Sequence, residues 1–357
     1  MRIFLALALL VGVAACGPEK PPQTGPAEII ARGFKIGLML PDLTTPRWEK
    51  FDRPYITSSV AQLCPNCEIV SVNAEGDPVA QRRQLDQFTA QGVKTVILTP
   101  VDARGIQPSV DRAAARAVRI VSYDRLAEGA IDAYTSFDNV EVGRLQGQAL
   151  VAAITAHGRQ GQIVMLNGPT TDPNSAEFKA GAHAALDGRV RIGAEFDTPG
   201  WSPEEAERES EMAMDRIGPA NVIGVYAAND GLAGGAASSI RDSGMPPDTP
   251  LTGMDADLEA IHRIMLGTQT MTIYKPIQPE AQNAAQLAVD LGAGRPIRGT
   301  STVSNDTERG IPAMITKAIV VTRDTIKDTV VRDGFWTVNE VCNPAELKPV
   351  CAELGIA

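Results

Sequence analysis

Histidine is scarce in this 357-residue chain, with only His157, His183 and His262. They are scattered and lack ligand spacing, so no metal site is expected. Basic clusters are also missing. A net charge of −10 without a lysine- or arginine-rich stretch excludes the phosphate-tracking groove of a nucleic-acid binder. Neither GxxxxGKS/T nor GxGxxG occurs, and no GxSxG turn is present, so no cofactor is expected. The apolar run Ile3 to Val13 is too short for a permanent bilayer span. Aromatic residues are few, at 4% with three tryptophans, so a tryptophan in a polar loop is informative.

What is present begins with an export signal. Met1-Arg2 is positive, Ile3 to Val13 is apolar, and Val13-Ala14-Ala15-Cys16 puts small residues before a cysteine. That ending resembles a bacterial lipobox, which implies acylation of Cys16 and a lipid anchor in the cell envelope, on either membrane. Residues 17–33 are expected to be a tether. Cys64, Cys67, Cys342 and Cys351 remain, an even number in an exported chain, where oxidised pairs are expected. They allow three connectivities. The local pairs Cys64–Cys67 and Cys342–Cys351 are favoured because each closes a short segment. A redox CxxC would need a helix N-terminus, whereas Cys64-Pro65-Asn66-Cys67 follows a helical stretch and precedes a strand.

The length suits about two domains, and a hydrophobic content of 44% is ample for their cores. Strand-length apolar runs (34–40, 68–72, 95–98, 118–123) alternate with helical patterns (48–63, 79–91, 107–117). The rhythm restarts near Tyr134. It continues with strands at 162–166, 190–196, 222–227 and 251–254 and helices at 142–156, 176–186, 203–217 and 231–243. This βαβα order predicts an α/β fold of two doubly wound parallel-sheet lobes. No Gly/Ser linker separates them, so a multi-crossing hinge is expected. The assigned lobes are 34–138 plus 275–306 and 139–274 plus 307–336, with 337–357 as a tail carrying a cysteine pair.

Ligands of open parallel sheets sit beyond the strands' carboxyl ends. There the sequence places Arg47-Trp48, Asp124-Arg125, Asp172 and Asn174, Trp201, Asn229, Asp255 and Lys275. Asp138-Asn139 reads as a hinge or helix cap. Gly234-Gly235-Ala236-Ala237 reads as small residues that let a helix pack tightly on its sheet.

Several segments together resemble the periplasmic sugar-binding proteins of ABC transporters, of the ribose/galactose class. They are Arg47-Trp48, Ser122-Tyr123-Asp124-Arg125, Ser136-Phe137-Asp138-Asn139, Asn229-Asp230, Gly253 to Leu258, Gly267 to Pro276, and Ile326 to Val330 with Asp333-Gly334-Phe335. The run Gly267 to Pro276 is similar to the xylose-binding branch. The resemblance covers roughly residues 34 to 336. It implies a type I periplasmic binding protein fold that closes on one monosaccharide and delivers it to a membrane permease. It also implies that Arg47, Trp48, Asp124, Arg125, Asp172, Asn174, Trp201, Asn229, Asp255 and Lys275 line the site. Xylose is the expected sugar, with glucose or arabinose able to use the same groups, and the protein is expected to be a monomer.

The residue types suit such a ligand. Indoles of Trp48 and Trp201 can cover the C–H faces of a pyranose. Asp124, Asp172 and Asp255 accept from hydroxyls, Arg47, Arg125 and Lys275 donate, and Asn174 and Asn229 do both. Paired carboxylates at a sugar also suit glycoside hydrolysis. Surrounding Arg and Lys would keep these acids ionised, however, so the chain is read as a non-enzyme. A sugar sensor presenting its ligand to a membrane kinase or chemoreceptor is the alternative. A repressor is excluded, because an export signal stands where a DNA-binding helix would be.

Overall fold

A computed structural model describes residues 25–356, Arg298 excepted, so the export signal and Cys16 lie outside the described residues. The first lobe is built on β1 (Lys35–Leu40), β2 (Glu68–Asn73), β3 (Thr95–Leu98), β4 (Arg119–Tyr123) and β5 (Ala133–Phe137). Helices α1 (Pro26–Arg32), α2 (Arg53–Leu63), α3 (Pro78–Ala90) and α4 (Gln107–Ala115) belong to the same lobe. Ile56, Val60 and Cys64 of the α2 region pack on one sheet face, and Leu85, Phe88, Val110 and Ala113 on the other. Both faces being covered explains why β1 and β3 read as continuous apolar runs rather than alternating ones.

The second lobe uses β6 (Gln162–Asn167), β7 (Arg191–Asp197) and β8 (Val222–Ala227), parallel in the order β7-β6-β8. Its helices are α5 (Asn139–His157), α6 (Pro173–Leu186), α7 (Pro203–Ile217), α8 (Asp230–Asp242) and α9 (Leu258–Leu266). Strand β9 (Thr272–Tyr274) follows, then α10 (Ile277–Ala293), β10 (Ser301–Val303), β11 (Ile311–Thr316) and β12 (Ile319–Val321). Predicted strand 251–254 is reduced to a single bridge between Leu251 and Val225. It still relays the sheet outward, since Thr252 N–H donates to Val225 and Ile273 N–H to Gly253.

The capping chemistry matches the sequence. Ser202 accepts from Glu205 N–H at the start of α7, and Asp138 accepts from Glu141 N–H at the start of α5. Each such bond satisfies an orphan donor of a first helical turn. Gly235 has a different role from the one expected. A Cβ there would run into the Pro203 carbonyl, so its small size serves packing of α8 on α7 rather than on the sheet.

Three sequence-based boundaries need correction. The seven-stranded sheet runs β10-β11-β5-β4-β3-β1-β2. Strand β11, within the segment assigned to the second lobe, pairs with β5 of the first. The last crossing therefore falls at Lys317-Ala318, before β12 pairs with β9. Residues 26–32 of the expected tether are helical. Pro26 suits a first helical turn, Asn66 Nδ2 donates to the Ala31 carbonyl at 2.8 Å, and Ile30 packs on the first-lobe core. Nor is the C-terminus a loose tail. Helices α11 (Val338–Cys342) and α12 (Lys348–Glu353) are joined by the Cys342–Cys351 disulfide. They bury Val341, Leu347 and Cys351 against Phe51, Ile261 and Ile264. Cys64 and Cys67 form the other local bridge.

Candidate functional site

Every site residue named from the sequence lines one cavity between the lobes. Arg47 and Trp48 open the turn after β1. Asp124 and Arg125 follow β4, Asp172 and Asn174 start α6, and Trp201 follows β7. Asn229 caps α8, Asp255 ends the 251–254 relay, and Lys275 follows β9. Thr45, Phe178 and Met254 also line the cavity and were missed. Phe178 had a usable signal, because it stands one helical turn after Asn174 on the same face. Met254 and Thr45 look like ordinary strand-end and turn residues.

Arg47, only 1% exposed, is the hub. Nε and Nη2 donate to the two Asp52 oxygens at 3.0 and 2.7 Å, Nη2 also reaches Glu280 at 3.0 Å, and Nη1 donates to Asp124 Oδ2 at 2.8 Å. The fork is therefore fixed from behind by Asp52 and Glu280 and faces the cavity beside Asp124. Lys275 Nζ lies 3.1 Å from Asp255 Oδ1 and 3.5 Å from Asp124 Oδ2. Arg125 Nε lies 2.7 Å from Asp172 Oδ2. Asn174 Nδ2 donates across the lobes to Asp124 Oδ1 at 3.0 Å.

Two of these residues do double duty. Asp172 Oδ1 caps α6 at Asn174 N–H (2.9 Å), while its Oδ2 accepts from Trp201 Nε1 (3.1 Å). Asn229 spends its carbonyl oxygen on Leu232 N–H at 2.9 Å, which leaves its amide NH2 for other partners. The apolar walls are Trp48, Trp201, Phe178 and Met254. Trp201 meets Phe178 edge-on at 6.4 Å, and the Arg47 guanidinium rests 4.4 Å from the Trp48 ring centroid. Among the described cavity-lining residues, Trp48 Nε1, Arg125 Nε and Asp255 Oδ1 are buried without a well-aligned hydrogen-bond partner, the Asp172 carboxylate and Lys275 ammonium beside the last two notwithstanding. Unspent polar capacity in a buried wall is expensive unless a ligand uses it.

The backbone is strained at the same place. Asp124, Trp201 and Asp255 have φ of 60°, 56° and 92°, and Ala256 has 55°. Left-handed backbone at non-glycine residues costs about 1–3 kcal/mol each and clusters at functional sites. Here it turns the side chains off their strand ends into the cavity.

Charge states follow from the pairing. Burial alone would raise the Asp124 carboxyl, but Lys275, Arg47 and Arg125 outweigh it and hold it at about 2. Burial would lower Lys275, yet Asp124 and Asp255 keep it above its ordinary value. Burial raises Asp172 against the pull of Arg125, and raises Glu280 strongly. Since the folded value of Asp124 lies below that of a free carboxylate, its stabilisation is complete above about pH 4 and disappears as pH falls through about 2. The stability gap between the native chain and Asp124→Asn, about 2 kcal/mol at neutral pH by this shift, is expected to close over that window in denaturant titrations. A gap that widens on acidification would reverse the sign.

Two α/β lobes clasping a buried, charge-matched cavity have the architecture of a ligand-binding protein. The comparisons agree. A model of the periplasmic binding protein domain matches residues 36–296. The D-xylose-binding periplasmic protein of Escherichia coli K12 is 33% identical over 317 residues, covering 87% of this chain and 93% of that one. Its counterpart in Haemophilus influenzae is 31% identical over 347 residues, covering 96% and 99%. Among solved structures, an ABC transporter solute-binding protein of Clostridium phytofermentans with bound β-D-glucose superposes with a TM-score of 0.76. It is 19% identical and covers 86% of this chain and 99% of that one. The chain belongs to the periplasmic binding protein family, with the type I fold.

Proposed function

We propose that this protein is the substrate-binding component of a sugar ABC importer, which captures one monosaccharide, D-xylose first, and hands it to a membrane permease. The observation that carries this reading is the convergence of donors, acceptors and aromatic walls from both lobes on one cavity. Relatives named for D-xylose binding support the sugar. The neighbour that holds glucose keeps a hexose in contention.

The cavity suits hydroxyls. Asp124 and Asp255 accept, Lys275, Arg47 and Arg125 donate, and the indoles meet the apolar faces. Charge-assisted bonds are about twice as strong as neutral ones. A site that pairs every hydroxyl rejects a sugar lacking one, because its own groups are then stranded. Ligand bridging the lobes favours the closed form by its differential affinity for that form, and the permease reads the closed surface. Catalysis fits poorly. Asp124, held at about 2, has no proton to lend a glycosidic oxygen near neutral pH. Export through the signal and anchoring through Cys16 would place the protein in the cell envelope.

A thermal-shift screen of pentoses and hexoses tests the reading. At a hundredfold its dissociation constant, the true ligand should add roughly 2.7 kcal/mol of stability, with D-xylose expected to give the largest shift. A panel in which no sugar raises Tm would refute it. Co-purification with a permease rather than a kinase ectodomain separates transport from sensing.

A further inference from the structure

Trp336, the tryptophan that contributes nothing to the cavity wall, is 4% exposed. Its indole Nε1 donates to the Ala256 carbonyl at 2.7 Å. Ala256 follows Asp255, and the two form a consecutive left-handed pair at φ 55° and 92°. Two other bonds hold that pair. Asp255 N–H donates to Ile273 at 2.8 Å, and Ala256 N–H donates to Thr272 Oγ1 at 3.2 Å. Both come from β9, inside the second lobe. The Trp336 bond comes from beyond β9, at the root of the C-terminal helices.

Trp336 is itself clamped from the first lobe. Lys50 Nζ stands 3.9 Å from its ring centroid and pairs with Glu340 of α11 at 3.2 Å. Phe51 meets the indole edge-on at 5.3 Å and stacks on Phe335 at 4.1 Å. Lys50 and Phe51 lie on the same helical turn as Trp48 (Trp48–Asp52). The indole therefore ties the turn carrying one cavity wall to the strained turn carrying the opposite acid.

We infer that Trp336 is a positioning residue for the sugar site: its N–H fixes the Asp255–Ala256 turn in the conformation that presents the Asp255 carboxylate to the cavity. This rests on the function proposed above. A buried carbonyl that loses its only indole donor is costly, and the turn can recover that cost by relaxing out of the left-handed region, which swings Asp255 away. A purely structural tryptophan would instead affect folding stability and leave the sugar affinity of the folded protein alone.

The test uses the full chain with D-xylose as probe and isothermal titration as readout. Trp336→Phe keeps an aromatic ring beside Phe51 and Lys50 and removes the N–H together with part of the indole. It should weaken binding roughly tenfold, while a thermal melt verifies that the variant is folded. The loss should shrink to within about twofold in an Asp255→Asn background and persist in an Asn229→Ala background, as coupled and independent sites respectively behave. A lowered Tm with unchanged affinity, or an undiminished loss alongside Asp255→Asn, would overturn the role of Trp336 alone. Full affinity in Asp255→Ala would overturn the site reading together with it.

Discussion

Asp255→Ala is expected to abolish measurable sugar binding while leaving the fold intact, and Trp201→Ala is expected to do the same. Asp255 lies 3.1 Å from Lys275, and both side chains are buried. Truncating one member of such a pair in a binding site costs about 2–5 kcal/mol, because the other charge is left without a partner. The ligand also loses an acceptor. In affinity this amounts to roughly thirtyfold to several thousandfold. Trp201 acts by a different route. It supplies an apolar wall, packs edge-on against Phe178, and holds the second oxygen of Asp172 through its N–H. Removing it opens the cavity and frees Asp172. Isothermal titration with D-xylose measures both losses, and circular dichroism reports the fold. Unchanged affinity in both variants would refute the site assignment.

The second large effect concerns stability. Arg47→Met is expected to destabilise the protein by about 3–5 kcal/mol, because it strands buried acids that now share one guanidinium. Asp52, Asp124 and Glu280 all bond to Arg47, and Asp52 and Glu280 are fully enclosed. Burial already pushes Glu280 well above the ordinary carboxylate range, so the loss should be partly recovered by Glu280→Gln in the same chain. Urea denaturation measures the difference. A loss under about 1 kcal/mol, the size expected for an exposed pair, would mean that the guanidinium does not hold this cluster together.

Much of this arrangement was legible in the sequence for a simple reason. Parallel strands end at one rim, so polar residues just after apolar runs must lie near one another. That logic placed Asp124-Arg125, Asn229, Asp255 and Lys275 without coordinates. It could not find the groups that act from inside helices and strands. Asp52 lies within the turn after Trp48, Glu280 one turn into α10, and Tyr123 at the end of β4 with its hydroxyl bonded to Asp52. On paper these look like a solvated acid, a helix-start acid and a core aromatic. Their role appears only when α10 is laid across α2 and the first sheet. The lobe boundary was missed for a related reason. Strand 311–316 carries no residue that says which sheet edge it joins, and the parallel register with β5 decides it. The C-terminal helices α11 and α12 are short, and neither carries a long apolar run that would mark a docked element. Trp336 and Phe335, which dock them on Phe51, stand just before that segment.

The most direct measurement is a crystal structure of the protein grown with D-xylose. The account predicts one pyranose between the lobes, bordered by Trp48 and Trp201, with hydroxyls in hydrogen-bond reach of Asp124, Asp255 and Lys275. A sugar bound elsewhere on the surface, or lobes closed on themselves at saturating sugar with those side chains still paired only to each other, would contradict it.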